Sequence, residues 1–334
     1  MTDRPPTDRP VAIGIDEIRA AHARIEPYIH RTPVLTSETL DAAFGSRLFF
    51  KCENFQKSGA FKVRGAFNAL LSLSAEDAKR GIVTSSSGNQ AAAVSLAARA
   101  RGVSAYIAMP KIAVASKVAA VQRYGGNIIW VESKARIPTS EEYDATAAAI
   151  REETGANPVH PYNDLRTIAG QATCALELLE EVPGLDYLLA PVGGGGLLSG
   201  TCSSAAALAP GTKVIGCEPQ KADDAWRSLQ EGAIVPQTDP QTIADGLRTS
   251  LGGHTFAIIA ANVSEIVTVS EEAILRGMRL IWETMKIVIE PSAAVPVAAL
   301  LEKKIPEAGR VGVILSGGNV DLESLPAWPE RAAE

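Results

Sequence analysis

The hydrophobic residues of this chain recur with two alternating periods. Segments with helical spacing lie at residues 15–29, 61–72, 90–101, 114–124 and 140–154. Short apolar runs, which are typical of buried strands, lie at residues 47–53, 81–85, 105–109, 127–131, 187–190, 213–217, 266–269 and 311–315. This repeated order of strand and helix predicts an α/β fold with twisted, mostly parallel sheets covered by helices.

The grouping of the strands predicts two domains. A chain of 334 residues is long enough for two hydrophobic cores. The strands between residues 81 and 160 form one compact group, and the other strands lie on both sides of it. We therefore expect a small domain over residues 81–160, inserted into a large domain built from residues 1–80 and 161–334.

Composition and charge exclude several classes of protein. The net charge of −6 and the sequence pI near 5.4 argue against a nucleic-acid-binding surface, which would be basic. No apolar run reaches the roughly 18 residues that a membrane helix needs. Residues 1–10 are polar and rich in proline, without the apolar segment of a secretory signal, which predicts a disordered tail on a cytoplasmic protein. The four cysteines have no metal-binding spacing and are expected to be reduced core residues.

The first candidate for chemistry is Lys62, in the sequence Ser-Gly-Ala-Phe-Lys-Val-Arg-Gly at residues 58–65. A lysine in a helix is ordinarily a solvated surface residue. This one follows a Ser-Gly turn and Phe61, at the start of an apolar helical face. A partly desolvated lysine has a lowered pKa, and its neutral amine can attack an aldehyde.

The second candidate is the tetraglycine at residues 193–196, which follows a predicted strand and precedes a plausible helix. Its simplest interpretation is a flexible loop. Consecutive glycines before a helix can also direct backbone N–H groups at a phosphate. No GxGxxG or Walker pattern can be aligned with it.

Two further turns follow strands. The sequence Thr-Ser-Ser-Ser-Gly-Asn at residues 84–89 is either a helix cap or a site that binds a carboxylate, and Ser-Gly-Gly-Asn at residues 316–319 is either a loop or part of a site. An amine, a phosphate cradle and a polar group at the far end of an aromatic cofactor are what a pyridoxal phosphate enzyme must supply. Glu218 and Asp224, around a free carbonyl, are either a solvated loop or ligands for a hard divalent cation.

In order along the chain, these motifs resemble those of the fold-type II pyridoxal phosphate enzymes, which share the tryptophan synthase β-like fold. More narrowly, they resemble the family of serine racemases and serine/threonine dehydratases. Four further stretches match in order, namely His-Pro-Tyr at 160–162, Ile-Ala-Gly-Gln at 168–171, Ile-Ala-Asp-Gly at 243–246 and Ile-Glu-Pro-Ser at 289–292. The resemblance implies a large cofactor-binding domain, a small mobile domain and a homodimer.

The resemblance also implies roles for individual residues. The cofactor-binding residues are Phe61 on the ring, Lys62 as the Schiff-base lysine, Asn89 at the 3′ oxygen, Gly193, Gly194, Gly195, Gly196 and Leu197 at the phosphate, and Ser316 at the pyridine nitrogen. The substrate-binding residues are Ser86, Ser87, Gly88 and Asn89, and Ser87 is also catalytic, on the face opposite Lys62. Glu218, the carbonyl of Ala222 and Asp224 match a site for a divalent cation, either Mg, Mn or Ca.

The implied reaction is a β-elimination. Lys62, released from the cofactor by an incoming amino acid, takes the α-proton as a general base. A serine beside the pyridine nitrogen leaves that nitrogen largely neutral, which favours loss of a β-hydroxyl over transamination. We therefore predict an ammonia-lyase that converts a 3-hydroxy amino acid into a 2-oxo acid and ammonia. An amino acid racemase, with Ser87 returning the proton, is the alternative; a binding protein without turnover is the alternative from another class.

The substrate is left open between serine or threonine and 3-hydroxyaspartate. Ala60 and Gln90 replace the serine and the histidine that the family usually has, and Tyr162 is a residue found in many dehydratases. Lys134 and Arg136, in a lengthened segment, are candidates to bind a second substrate carboxylate, although charged residues of this kind are more often surface charges.

Overall fold

The computed structural model describes residues 12–86, 88–113, 115–133, 140–307, 309–322 and 325. The predicted residues Ser87, Lys134 and Arg136 lie outside these ranges. The described strands form a six-stranded sheet and a four-stranded sheet. All the strand pairs are parallel except β1 with β2. The predicted α/β class with mostly parallel sheets is therefore confirmed.

The six-stranded sheet has the order β1-β2-β10-β7-β8-β9 and the four-stranded sheet the order β5-β4-β3-β6. The strands are β1 (Val34–Leu35), β2 (Arg47–Cys52), β3 (Ile82–Ser85), β4 (Ala105–Pro110), β5 (Asn127–Val131), β6 (Asn157–Pro158), β7 (Tyr187–Pro191), β8 (Lys213–Pro219), β9 (Glu265–Val269) and β10 (Arg310–Leu315). All of the four-stranded sheet comes from residues 82–158. The limits of the two domains, and the mobility of the smaller one, stay predictions.

Helices connect and cover the strands. They are α1 (Ile15–Ile25), α2 (Glu38–Phe44), α3 (Lys62–Leu71), α4 (Ala75–Lys79), α5 (Asn89–Arg101), α6 (Ala115–Arg123), α7 (Ser140–Thr154), α8 (Leu165–Glu181), α9 (Gly196–Leu208), α10 (Asp224–Glu231), α11 (Gly253–Asn262), α12 (Glu271–Met285) and α13 (Pro291–Leu301). The predicted helix over residues 15–29 ends earlier, at Ile25, because Pro27 follows and residues 26–28 form a 3₁₀ turn.

The six-stranded sheet is buried on both faces. Leu188 packs with α8 and α9 on one face, whereas the next residue of β7, Leu189, packs with α12 and α13 on the other. Both residues are fully buried. Successive strand residues point to opposite faces, so a strand covered by helices on both sides must be apolar throughout. That requirement explains the continuous apolar runs of the sequence.

The fold places the candidate motifs at the carboxyl ends of parallel strands. Residues 193–196 follow β7, residue 316 follows β10 in the same sheet, and residues 86–89 follow β3 in the smaller sheet. Ligands of open α/β sheets bind beyond the carboxyl ends of the strands. The topology therefore gathers three motifs that are distant in sequence.

Candidate active site

Lys62 is the first residue of α3, and the loop before it is held by the segment that follows β10. The backbone N–H of Phe61 donates to the Ser316 carbonyl at 3.0 Å, and Asn319 Nδ2 donates to the Ser58 carbonyl at 2.7 Å. Ser58 has a left-handed φ of 61°, which is costly for a residue with a side chain. These contacts bring Lys62 beside Ser316.

Lys62 is half-buried, and its amine donates a hydrogen bond to a backbone carbonyl. Nζ donates to the Pro161 carbonyl at 2.7 Å and lies 5.3 Å from the centroid of the Phe61 ring. Desolvation lowers the pKa of Lys62 from 10.5 to about 8. A substantial fraction of the amine is therefore neutral near pH 8, as a nucleophile or a general base requires.

The turn that carries Pro161 is fixed by His160. Its Nδ1 accepts hydrogen bonds from the backbone N–H groups of Tyr162 at 3.3 Å and Asn163 at 2.9 Å. The centroids of the His160 and Tyr162 rings are 4.6 Å apart, in an edge-to-face arrangement. Desolvation, and then the nearby Lys62 charge, lower the pKa of His160. A neutral imidazole keeps Nδ1 free to accept both bonds and so holds the carbonyl that Lys62 contacts.

The tetraglycine links β7 to α9, and the space around it admits no larger residues. A Cβ on Gly194 would lie 2.4 Å from the Tyr162 ring, and Gly195 has a φ of +89° that favours glycine. The helix α9 has no side-chain cap, so the N–H groups of its first turn lack side-chain partners of that kind. Leu197, which was predicted to bind the cofactor phosphate together with the glycines, is buried in this first turn. The arrangement suits a phosphate group.

A cleft lined by Asn89, Lys117 and Asn319 lies between residues of the two sheet units, and Asn89 begins α5 after the turn that follows β3. Within that turn the Ser86 hydroxyl accepts the Gly88 N–H at 3.2 Å. The Asn89 side chain contacts two residues of the larger sheet unit: Nδ2 donates to Glu290 Oε1 at 2.8 Å, and Oδ1 accepts from Asn319 Nδ2 at 2.9 Å. Ser316, which follows β10, is only 3% exposed.

The predicted cation ligands lie together at the end of β8. Glu218 accepts the backbone N–H groups of Ala225 at 3.0 Å and Trp226 at 2.9 Å, in the first turn of α10. Asp224 Oδ1 accepts a long bond of 3.4 Å from Gln237, and its Oδ2 is buried with no hydrogen-bond partner. Ala222, whose carbonyl is the third predicted ligand, is fully buried.

Both carboxyl groups are buried, and the charge of Asp224 opposes ionisation of Glu218. Burial, and then the charge of the neighbouring Asp224, raise the pKa of Glu218 well above its ordinary value. Burial likewise raises the pKa of Asp224 to about 6. Within the described ranges, no group of three or more His, Cys, Asp or Glu side chains could hold a metal ion. This pair therefore needs a backbone oxygen to complete a cation site.

Sequence reasoning missed a buried network behind Lys62. Arg64 donates to both oxygens of Glu53 and both oxygens of Glu177, all four bonds at 2.8 Å, and Lys51 donates to Glu177 at 2.6 Å. The four side chains are completely buried. Arg64 lies two residues after Lys62 and fixes the first turn of α3. The sequence signal that could have predicted this network is the presence of these four charged residues within otherwise apolar segments.

Sequence reasoning gave no role to Glu290, although it lies in the matching stretch Ile-Glu-Pro-Ser at residues 289–292. An acidic residue directly before a helix reads as a cap in the sequence, but Glu290 makes no side-chain cap and bonds Asn89 instead. All four cysteines are free and buried, as predicted. No helix of the described ranges is long and apolar enough to cross a membrane.

Comparisons with known proteins agree with this geometry. A family model described as "Pyridoxal-phosphate dependent enzyme" matches residues 25–317. The chain is 50% identical over 312 residues to a beta-hydroxyaspartate dehydratase of Paracoccus denitrificans, covering 93% of this chain and 98% of that protein. It is 48% identical over 320 residues to a serine racemase of Arabidopsis thaliana, covering 94% of this chain and 95% of that one. The structure of maize serine racemase superposes with a TM-score of 0.90 at 46% identity, covering 94% and 95% of the two chains.

Proposed function

Because this chain belongs to the family of pyridoxal-phosphate dependent enzymes, we propose that it is an ammonia-lyase, or dehydratase, acting on a 3-hydroxy amino acid. The observation that carries the proposal is the amine of Lys62, whose pKa of about 8 is set by desolvation at the junction of the cleft motifs. The similarity to a beta-hydroxyaspartate dehydratase supports the class of reaction.

The residues present fit the cofactor. The glycine turn before α9 leaves no room for a Cβ at residue 194, because the Tyr162 ring is too close, and the uncapped first turn of that helix suits a phosphate. The Ser316 carbonyl accepts the N–H of Phe61 at 3.0 Å, next to Lys62, which supports the proposed role of Ser316 at the pyridine nitrogen. When bound, pyridoxal phosphate supplies an aldehyde that condenses with amines and a conjugated ring that withdraws electrons from the α-carbon.

Three groups of the chain divide the work of the reaction. Lys62 Nζ, when not bonded to the cofactor, removes the α-proton of the substrate. The turn at residues 86–89 binds the α-carboxylate at the start of α5. The Ser316 hydroxyl is a neutral partner for the ring nitrogen, which favours rapid loss of the β-hydroxyl. Water then converts the resulting enamine into a 2-oxo acid and ammonia.

We take 3-hydroxyaspartate to be the preferred substrate, with serine or threonine as the other possibility. The name of the Paracoccus relative supports this choice. A second carboxylate needs a cationic partner, and Lys134 and Arg136 stay the predicted partners. Replacing both by alanine is expected to raise KM for 3-hydroxyaspartate at least about tenfold and to leave KM for serine unchanged. Equal effects on both substrates would contradict this assignment.

The main test is a panel of 3-hydroxyaspartate, serine and threonine stereoisomers, with ammonia and 2-oxo acid measured. We expect the highest kcat/KM with a 3-hydroxyaspartate isomer. Lys62→Ala is expected to reduce turnover by more than about a thousandfold, since it removes both the linkage and the base. Borohydride reduction followed by peptide mass spectrometry is expected to place the cofactor on Lys62. Cofactor attached elsewhere, or no ammonia from any substrate, would overturn the proposal.

Racemisation is a second candidate because relatives named serine racemase are nearly as similar. It requires a proton donor on the face opposite Lys62, a role predicted for Ser87. Chiral analysis of recovered substrate, made in the same reactions, separates the two outcomes. Under the racemase alternative, Ser87→Ala abolishes isomer exchange and preserves elimination.

A divalent cation is proposed at Glu218, the Ala222 carbonyl and Asp224. The partnerless Asp224 oxygen and the raised pKa of Glu218 support it, because a cation would compensate both carboxylates. The ion would be structural, at the carboxyl end of β8. Mg, Mn and Ca are all compatible with an oxygen-only site.

A homodimer and a cytoplasmic location complete the proposal. Phe55 and Val288 are 46% and 49% exposed, and their segments are neighbours because Asn54 Nδ2 donates to the Val288 carbonyl at 3.1 Å; exposed apolar side chains close together support association. The free cysteines support a reducing compartment. Sedimentation equilibrium tests the dimer, and cell fractionation tests the location.

A further inference from the structure

The orientation of the Asn89 amide is fixed by a chain of hydrogen bonds. The Ser58 carbonyl can only accept, so its bond at 2.7 Å identifies Nδ2 of Asn319. The same Nδ2 donates to Asn89 Oδ1 at 2.9 Å. Nδ2 of Asn89 is then directed at Glu290 Oε1, 2.8 Å away. One N–H of Asn89 is used in this bond, and its second N–H is left for another acceptor.

These bonds join the two sheet units. Asn89 starts α5, which follows β3 of the four-stranded sheet, whereas Glu290 directly precedes α13 and Asn319 follows β10 of the six-stranded sheet. A second cross-connection lies beside the first: Lys117 of α6 forms an ion pair with Asp245. The orientation of the Asn89 side chain, in one sheet unit, therefore depends on Glu290 and Asn319 of the other.

Glu290 is suited to accept a hydrogen bond without a counter-charge. Its side chain is nearly fully buried, at 4% exposure. Burial, and then the charge of Asp245, raise its pKa to about 8, while Lys117 and the hydrogen bonds from Asn89 and the Asn319 backbone lower it. A protonated carboxyl still accepts through its carbonyl oxygen, so the bond to Asn89 survives at neutral pH.

We propose that Glu290 is a positioning residue that acts through Asn89, holding its amide so that the second N–H meets the 3′ oxygen of the cofactor. The inference rests on the proposed role of Asn89 in the cofactor site. It extends that role by assigning a function to a residue of the other sheet unit. Loss of Glu290 would free the amide to rotate, although no direct contact with the cofactor would be lost.

The test is a double-mutant cycle with pyridoxal phosphate affinity as the readout. Apoprotein is prepared for wild type, Asn89→Ala, Glu290→Ala and the double variant, and the dissociation constant is measured by fluorescence titration. Each single variant is expected to weaken binding about three- to tenfold, the range of one hydrogen bond. The double variant is expected to be no weaker than Asn89→Ala alone, because Glu290 acts only through that residue.

Two further variants separate positioning from general damage. Glu290→Gln keeps an oxygen acceptor and is expected to bind cofactor within about twofold of wild type. Glu302→Ala removes a glutamate beside the far end of α13, where it accepts bonds from Ser270, and is expected to leave affinity unchanged. If Glu290→Ala does not fold, Glu290→Met replaces it in the cycle, since methionine is similar in size and cannot accept this bond.

The outcomes distinguish two failures. An unchanged dissociation constant in Asn89→Ala shows that Asn89 does not bind the cofactor, which overturns the site assignment and the inference with it. A weakened Asn89→Ala together with an unaffected Glu290→Ala, or effects that multiply in the double variant, overturns the inference alone. The visible absorbance maximum of bound cofactor, measured in parallel, is expected to shift alike in the two single variants.

Discussion

Two buried groups of charged residues in this protein have opposite electrostatic balance. Behind Lys62, the cations Lys51 and Arg64 meet the anions Glu53 and Glu177, and all four are fully buried. At the end of β8, Glu218 and Asp224 are both acidic and buried, and neither has an ion-pair partner within the part of the chain that the structure describes. One group is complete within the chain, and the other lacks positive charge.

The pKa shifts express this difference. Burial alone would raise the pKa of Glu177, but hydrogen bonds from His22 and Arg64 and the charges of Arg64 and Lys51 hold it far below its ordinary range. At Glu218 burial raises the pKa, and the neighbouring acid raises it further. A buried carboxylate with internal counter-charges is balanced within the chain, whereas one without a paired counter-charge favours binding of a cation.

The largest expected effect comes from breaking the balanced group. Arg64→Met leaves Glu53 buried without its cationic partner and Glu177 with Lys51 as its remaining buried cation, and we expect a loss of about 3–5 kcal/mol in the free energy of unfolding, measured by urea denaturation. Arg227→Met is the matched control, because its ion pair with Asp223 is about one-third exposed and of little value. Equal losses in the two variants would contradict the comparison.

Supplying the missing charge tests the unbalanced group. We expect magnesium, manganese or calcium to raise the free energy of unfolding by about 2.7 kcal/mol at a concentration one hundred times its dissociation constant. Urea denaturation with and without the ion measures the gain, and chelation should reverse it. In Asp224→Asn the gain should fall sharply, while Asp223→Asn should retain it; a response identical in all three proteins rules out binding at this pair.

The pH dependence of stability should differ with and without a cation. Asp224, raised from 3.8 to about 6, binds its proton more tightly in the folded protein than in the unfolded chain. Metal-free protein should therefore lose about 1–3 kcal/mol as pH rises through this interval. Glu177, with a lowered pKa, loses its contribution only as pH falls through its own folded-state pKa. Urea titrations at several pH values, with Asp224→Asn as reference, should show a flatter curve for the variant.

The smallest expected effect lies at the edge of the balanced group. His22 Nε2 bonds Glu177 Oε1 at 3.1 Å, and its side chain is 19% exposed. Because Arg64 and Lys51 still compensate Glu177, His22→Gln should cost only about 0.5–1 kcal/mol in urea denaturation. A loss as large as that of Arg64→Met would mean that the group is not balanced by its two cations.

Much of the fold was predictable because its signals are local. The strand at residues 127–131 and the helix at residues 140–154 were predicted with the observed limits. The short helix α2 was missed, although Ser37 caps it and Gly45 ends it with a φ of 60°. Its apolar side is narrow, and only Leu40 is buried, so periodicity gave little signal.

The site was predictable only in part. Lys62, Asn89, the tetraglycine and Ser316 stand in recognisable motifs, and their proposed roles await the experiments above. Arg64 lies two residues after Lys62 in the same motif. No pattern in the neighbouring sequence indicates that its partner is Glu177, 113 residues away. Nor does any local pattern indicate the partner of Asn89, since Glu290 is 201 residues distant.

The sequence alone determined the alternation of strands and helices, the order of the motifs and the family, because hydrophobic period, turn chemistry and motif order are properties of neighbouring residues. Only the tertiary structure decided which buried charges are paired, which carboxylate oxygen lacks a partner and how the Asn89 amide is turned. Those features depend on side chains that packing brings together from distant parts of the sequence. Because these side chains are removed from water, the presence or absence of each partner changes their free energy strongly.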